Sequence, residues 1–142
     1  MKVLSLTQPW AQLIAVGAKQ IETRGWYTAY RGPLLIHAAK GFPKWAKETC
    51  EEDDFRNALS GLLPNQLPTA AIVCRCELLA CVRTEDVHKL RAVGIVPLVQ
   101  ELKFGDYSEG RWAWGLRLVE RFVEPIPALG KLGLWEFQFQ GE

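Results

Sequence analysis

The chain has 142 residues, of which 49% are hydrophobic and 23% charged, the balance of one ordinary globular domain running from 1 to 142. A second domain does not fit, and intrinsic disorder, coiled-coil and collagen-like architectures do not match this composition. Seventeen basic residues against sixteen acidic ones leave a net charge of +1, so bulk charge gives no argument for a polyanionic partner. The distribution is less even: residues 1–50 hold seven basic and two acidic side chains, and residues 51–56 hold four acids and Arg56.

In chain order, Met1 to Leu6 reads as an edge strand. Thr7 or Gln8 then caps a helix with Pro9 in its first turn, where the missing N–H costs nothing. Trp10, Leu13, Ile14 and Gly17 make one apolar stripe, and Gly17 suits a left-handed stop. Gln20 to Trp26 reads as a strand with Glu22 and Arg24 on one face, Ile21 and Thr23 on the other, and Lys19 at the helix-to-strand turn. Leu34 to Ala39 is a second strand, with His37 opposite in parity to Ile36 and Ala38. Pro43 opens a helix that carries Trp45, Ala46 and Thr49, and the acids Glu51 to Asp54 threaten to break it in two. Gly61 to Thr69 is a loop.

The clearest alternation runs from Ala70 to Arg83. It puts Ile72, Cys74, Cys76, Leu78, Ala80 and Val82 on one face and Val73, Arg75, Glu77, Leu79 and Cys81 on the other. Thr84 caps a short helix that ends at Gly94. Pro97–Lys103 and Arg111–Val123 add strands, and Leu134 to Gln140 closes the chain with Trp135, Phe137 and Phe139 alternating inward. Five or six strands with short helices between them predict a small α+β barrel.

The four cysteines, with no apolar leader after Met1-Lys2, point to a reducing cytoplasm and not to a secreted disulfide framework. The longest charge-free run, Asn57 to Cys74, contains Ser60, Pro64, Asn65, Gln66 and Pro68, so no membrane span is expected. Cys74 and Cys76 share a predicted face from which Cys81 points away, and no second Cys pair completes a tetrahedral site, so core packing is expected and no metal. Neither a Walker loop, a G-x-S-x-G elbow nor an HExxH helix is present, which removes the enzyme classes that depend on them. His37 and His88, each taken alone, read more readily as structural histidines than as titrating site residues. Gly17 to Arg24 packs an ammonium, a carboxylate and a guanidinium where a helix hands over to a strand; such junctions border clefts, although Glu22 and Arg24 at this spacing also fit a plain surface ion pair.

Leu4-Ser5-Leu6-Thr7-Gln8-Pro9-Trp10-Ala11, the G-x-K-x-x-E-x-R pattern at Gly17, Lys19, Glu22 and Arg24, Ile36-His37-Ala38 and Gly110-Arg111-Trp112-Ala113-Trp114 together resemble an ASCH domain over nearly the whole chain. The resemblance implies a PUA-like β-barrel with short helices packed around it and a basic cleft beside the first helix. It assigns Lys19, Glu22 and Arg24 to that cleft, Gln8 and Trp10 to its rim, and His37 and Lys40 to its neighbourhood. It also implies RNA binding, with amidohydrolases acting on acetylcytidine and nucleases as further branches. The amidohydrolase pattern has a Thr where this chain has Glu22; Thr23 is displaced by one, and Glu77 matches the later carboxylate only by order along the chain.

Three readings follow. In the first, a nucleotide or short single-stranded RNA occupies the cleft, with Lys19, Arg24 and Lys40 on phosphate or base edges and Trp10 or Trp114 as a stacking plane. In this reading Trp112 and Trp135 fill the barrel. The second is a metal-free, cofactor-free hydrolase with Lys19, crowded by Arg24 and Arg75, as base for water or Thr23 and Glu77 shuttling the proton to the leaving amine. The third is a ribonuclease using His37 and Lys19. Binding is preferred over catalysis; ligand identity stays open, and so does oligomeric state, with a monomer favoured.

Overall fold

A computed structural model of the chain describes residues 1–138. Its centre is a six-stranded sheet built from β1 (Lys2–Leu6), β2 (Ile21–Arg24), β3 (Gly32–Ala38), β4 (Ala71–Arg83), β5 (Trp112–Pro127) and β6 (Leu134–Glu136), in the order β2-β5-β4-β3-β1-β6. Only β1 and β3 run parallel; every other pairing is antiparallel. The sheet curls into a half-barrel, and short helices pack around it: α1 (Trp10–Ala15), α2 (Lys44–Thr49), α3 (Asp53–Ala58) and α4 (Val99–Lys103), with 3-10 turns at Pro64–Gln66 and Thr84–Val93. This is the α+β fold with short helices expected from the sequence, its sheet a half-barrel where a small barrel was expected. Phe139 and Gln140, placed in the closing strand by their alternation, lie outside the described residues.

The long strands β4 and β5 do not keep strict parity. Their register shifts between Ile72 and Cys74, between Arg75 and Cys76 and between Leu78 and Ala80. Each added residue turns the following side chains to the other face. Cys81 therefore packs in the same core as Cys74, Cys76, Val73 and Leu78, while Ile72 joins Val3, Leu35 and Trp135, and Ala80 and Val82 lie against Ile21 and Leu90. The alternation read from the sequence fails at these bulges. All four cysteines are free and buried. The hydrogen bond with the Cys76 thiol 3.9 Å away, together with burial, pushes the Cys74 thiol far above the ordinary range.

Helix α1 is buried on nearly every side and not along a single stripe: Ala11, Gln12, Leu13, Ile14 and Ala15 are all inside. Its cap residue is Pro9, and the capping oxygen comes from one position earlier, where Gln8 Oε1 accepts the Gln12 N–H at 2.9 Å. The acids at 51–54 divide the second helical region as expected. Asp53 and Asp54 end up in the first turn of α3, where the helix dipole favours them.

Three expected elements differ. The first strand, read as an edge strand, is β1 and lies between β3 and β6. Thr84–Val93 is a 3-10 segment with a non-helical Asp86, and the Thr84 hydroxyl donates to Ser108 O at 2.8 Å instead of capping. Pro97–Lys103, read as a strand, contains α4. Val99 is 74% exposed there, so its β-branched side chain has no sheet to pack on, and the segment is anchored instead through the buried Glu101.

Candidate functional site

Strand β2 is an edge strand, paired through Ile21↔Gly115, Glu22↔Trp114 and Thr23↔Ala113. Its start is fixed twice. The N–H groups of Ala18 and Lys19 both donate to Leu13 O at the end of α1, each at 3.0 Å. The N–H groups of Gln20 and Ile21 donate to the Glu101 carboxylate at 3.0 Å. Burial raises the Glu101 carboxyl above its ordinary range, against the opposing pull of those N–H groups and of Lys19.

Past this anchor lies a hollow of about 390 Å³ lined by Leu6, Thr7, Trp10, Glu22, Thr23, Arg24, Trp45 and the segment Lys103 to Asp106. On its floor Glu22, 7% exposed, is held between two cations: Lys19 Nζ at 3.2 Å from Oε1 and Arg24 Nη1 at 3.3 Å from Oε2. Trp10 and Trp45 form an aromatic wall, with ring centroids 5.8 Å apart and planes tilted by 44°, and Phe55 backs Trp10 at 5.9 Å. The opposite wall approaches β2 closely. A Cβ on Gly105 would stand 3.0 Å from Thr23 Oγ1, and the Asp106 N–H donates to that same oxygen at 3.0 Å. Hydrogen bonds from the Ser108 hydroxyl and N–H hold the Asp106 carboxyl below its ordinary range. Behind the floor, the buried Tyr107 hydroxyl has no hydrogen-bond partner among the described residues. Burial, with the charges of Glu101 and Glu22, pushes it well above the ordinary tyrosine range.

The residues expected in the cleft divide into those that line the hollow and those that do not. Trp10, Glu22, Thr23 and Arg24 line it. Lys19 converges on the same carboxylate but is 1% exposed, lies behind Glu22 and also donates to Ile21 O; it supports the floor without facing the open space. Gln8 is fully buried, its amide donating to Pro68 O at 2.8 Å, so it is not a rim residue. Trp114 is fully buried in the main core and makes an edge contact with Trp26 at 4.8 Å, which rules it out as a stacking plane. Of the two tryptophans expected in the barrel, Trp135 is buried at 6% exposure, while Trp112 is only half-buried, with the Arg83 guanidinium over its ring and Tyr27 in edge contact.

His37 and Lys40 line a separate hollow of about 290 Å³ with Ser5 and Lys131. There His37 donates from Nε2 to Ala128 O at 2.8 Å, and its Nδ1 lies 2.9 Å from Ser5 Oγ, which in turn accepts the Trp135 Nε1 proton at 3.0 Å. This is a satisfied structural histidine. Glu77 lies opposite Pro33 and Arg117, and Arg75 opposite Leu35 and Glu120, both away from the hollow's lining. Lys19, Thr23 and Glu77 therefore do not assemble as a catalytic set. A larger hollow, about 740 Å³ beside Gln12, Leu67 and Phe122, has Arg121 as its one charged lining residue among the described residues.

The expected basic cleft is mixed in charge, with Arg24 and Lys103 balanced by Glu22 and Asp106. Trp45, Lys103 and Asp106 escaped the sequence reading. Trp45 carried a signal as an aromatic in a short helix flanked by lysines. Lys103 and Asp106 reach the hollow only through the α4 turn.

A curled half-barrel of mixed strand order, with short helices on it and a hollow beside the first of them, is a PUA-like α+β fold. Within that class the chain belongs to the ASCH domain family, whose model matches residues 4–126. Over 81 residues it is 37% identical to activating signal cointegrator 1 of Mus musculus and 36% identical to that of Homo sapiens; the aligned stretch is 55% of this chain and 14% of each relative. A crystal structure of a mutant ASCH protein from Zymomonas mobilis superposes with a TM-score of 0.51 at 19% identity, covering 89% of this chain and 74% of that one, a likeness of fold.

Proposed function

We propose that this ASCH domain binds single-stranded RNA or a nucleotide, holding one nucleoside unit in the hollow beside α1. The observation that carries this reading is the meeting of an accessible aromatic wall, Trp10 and Trp45, with a buried, doubly paired carboxylate at Glu22 and cations at Arg24 and Lys103 in one space of about 390 Å³. That volume suits a nucleobase-sized ligand. Stacking on tryptophan contributes about 1–3 kcal/mol per base, Arg24 and Lys103 supply phosphate contacts, and the polar floor meets the base edge.

Catalysis is less well supported. The Lys19 ammonium is committed to Glu22 and Ile21 O, the Thr23 oxygen accepts from Asp106, and His37 is spent on Ser5 and Ala128. No helix among the described residues is long and apolar enough to cross a membrane. Four unpaired, buried cysteines fit a reducing cytoplasm. We further propose that the domain acts as a monomer, since the ligand hollow is built within one chain.

The test is titration of the chain with short single-stranded RNA at low ionic strength, read by tryptophan fluorescence and anisotropy. Binding should weaken as salt rises. Trp45→Ala should remove about 1–3 kcal/mol of affinity, and Arg24→Ala should reduce both the affinity and its salt dependence. Lys40→Ala, on the other hollow, should bind as the parent does. Absence of binding at every salt concentration overturns this function.

A further inference from the structure

We infer that the hollow selects guanine, and that Glu22 is the residue that reads it; this rests on the nucleotide-binding reading above. Each Glu22 oxygen is engaged by one cation, Oε1 by Lys19 and Oε2 by Arg24. A carboxylate has about four acceptor sites and no donor, so one lone pair on each oxygen remains for a ligand. The side chain is 9% exposed and lines the hollow, so that free capacity faces the cavity. Because Lys19 and Arg24 fix the carboxylate from both sides, it offers two acceptors side by side at a set orientation.

Guanine matches this pair. Its Watson–Crick edge presents N1–H and the N2 amine as adjacent donors, which a carboxylate accepts as two parallel bonds. Adenine and cytosine each offer one amine beside a bare ring nitrogen, whose lone pair would face the second oxygen. Uracil offers one N–H flanked by two carbonyls. A base stacked against Trp10 and Trp45 with its edge on Glu22 also leaves its sugar-phosphate side for Arg24 and Lys103. Next to Glu22, the Thr23 carbonyl oxygen is an acceptor already engaged by Arg111 Nη2 at 3.3 Å.

The experiment compares GMP, IMP, AMP, CMP and UMP on the intact chain by tryptophan fluorescence, with the Glu22→Gln variant alongside. GMP should bind more tightly than AMP, CMP and UMP by roughly 5- to 150-fold, the range expected for one bidentate edge contact. IMP, which keeps N1–H and lacks the N2 amine, should fall between GMP and the rest on the unaltered protein, a readout that does not depend on any variant folding. Glu22→Gln, whose amide turns one acceptor into a donor, should bring GMP to within about twofold of AMP. Equal binding of all five nucleotides, tightest binding of another base, or IMP binding as well as GMP overturns the guanine assignment while the binding function stands. If neither these nucleotides nor single-stranded RNA bind, the binding function and the guanine assignment fall together.

Discussion

Ser5 and Leu6 are neighbours on β1, yet they border two different hollows. On the Ser5 side the polar groups form a closed chain: Trp135 donates to Ser5, Ser5 meets His37, and His37 donates to Ala128. On the Leu6 side Glu22 receives two cations and keeps acceptor capacity facing open space beside exposed aromatic surface. Both regions contain buried polar residues of the kinds that enzymes and binding sites use. They differ in whether hydrogen-bonding capacity is left over. A saturated network fixes a loop, whereas an unsaturated one beside an aromatic wall has a use for a ligand.

The largest expected effect tests the second half of that contrast. Glu22→Ala leaves the Lys19 ammonium, 1% exposed, without its counter-ion. Breaking a buried pair in this way costs about 3–5 kcal/mol, measurable as a shift in urea midpoint. A loss below about 1 kcal/mol would show that the pair behaves as a surface bridge. His37→Ala should follow, at about 1–3 kcal/mol for the stranded Ser5 and Ala128 partners, with a further loss from the vacated ring. Its RNA affinity should match the parent's. Weakened RNA binding at unchanged stability would erase the distinction between the two hollows. Gly130→Ala is smaller. Its Cβ would stand 2.7 Å from His37 Cε1 and 2.9 Å from Ser5 Oγ, which the loop relieves by shifting, at a cost of about 1 kcal/mol or slightly more.

Much of the fold is legible from local chemistry. Gly17 and Gly94 end their helical segments with φ of 80° and 83° as expected, and Pro43 opens α2. The family motif also located β2 and its charges. What the sequence could not show was depth. Lys19 at its turn and Glu22 and Arg24 on their strand face carry no mark of burial in the sequence, and only the packing of α1 and α4 decides that Lys19 lies beneath Glu22 while Arg24 stays at the surface of the hollow. Parity along β3 did separate His37 from Ile36, but nothing local tells which face carries α1. The bulges in β4 have no sequence mark, since Cys74, Cys76 and Cys81 suit either face. Trp114 and Trp10 were interchangeable as stacking planes until β5 placed one in the core.

Glu101 provides the finest test of how the floor is held, because two opposing effects act on one carboxyl. Burial disfavours its charge, while the N–H groups of Gln20 and Ile21 and the nearby Lys19 favour it; burial prevails and raises the pKa above 4.5. The folded chain then keeps this proton at a pH where the unfolded chain has released it. The stability contributed by the residue is therefore complete below 4.5 and is lost as pH rises through the folded value. Comparing the parent with Glu101→Gln, which cannot titrate, isolates that slope. The parent's stability relative to the variant should narrow as pH rises from 4.5 through the folded value. If the difference widens instead, the N–H groups of β2 outweigh burial and Glu101 anchors the strand as a charge; if it narrows, the strand is anchored mainly by geometry and the charge is tolerated there.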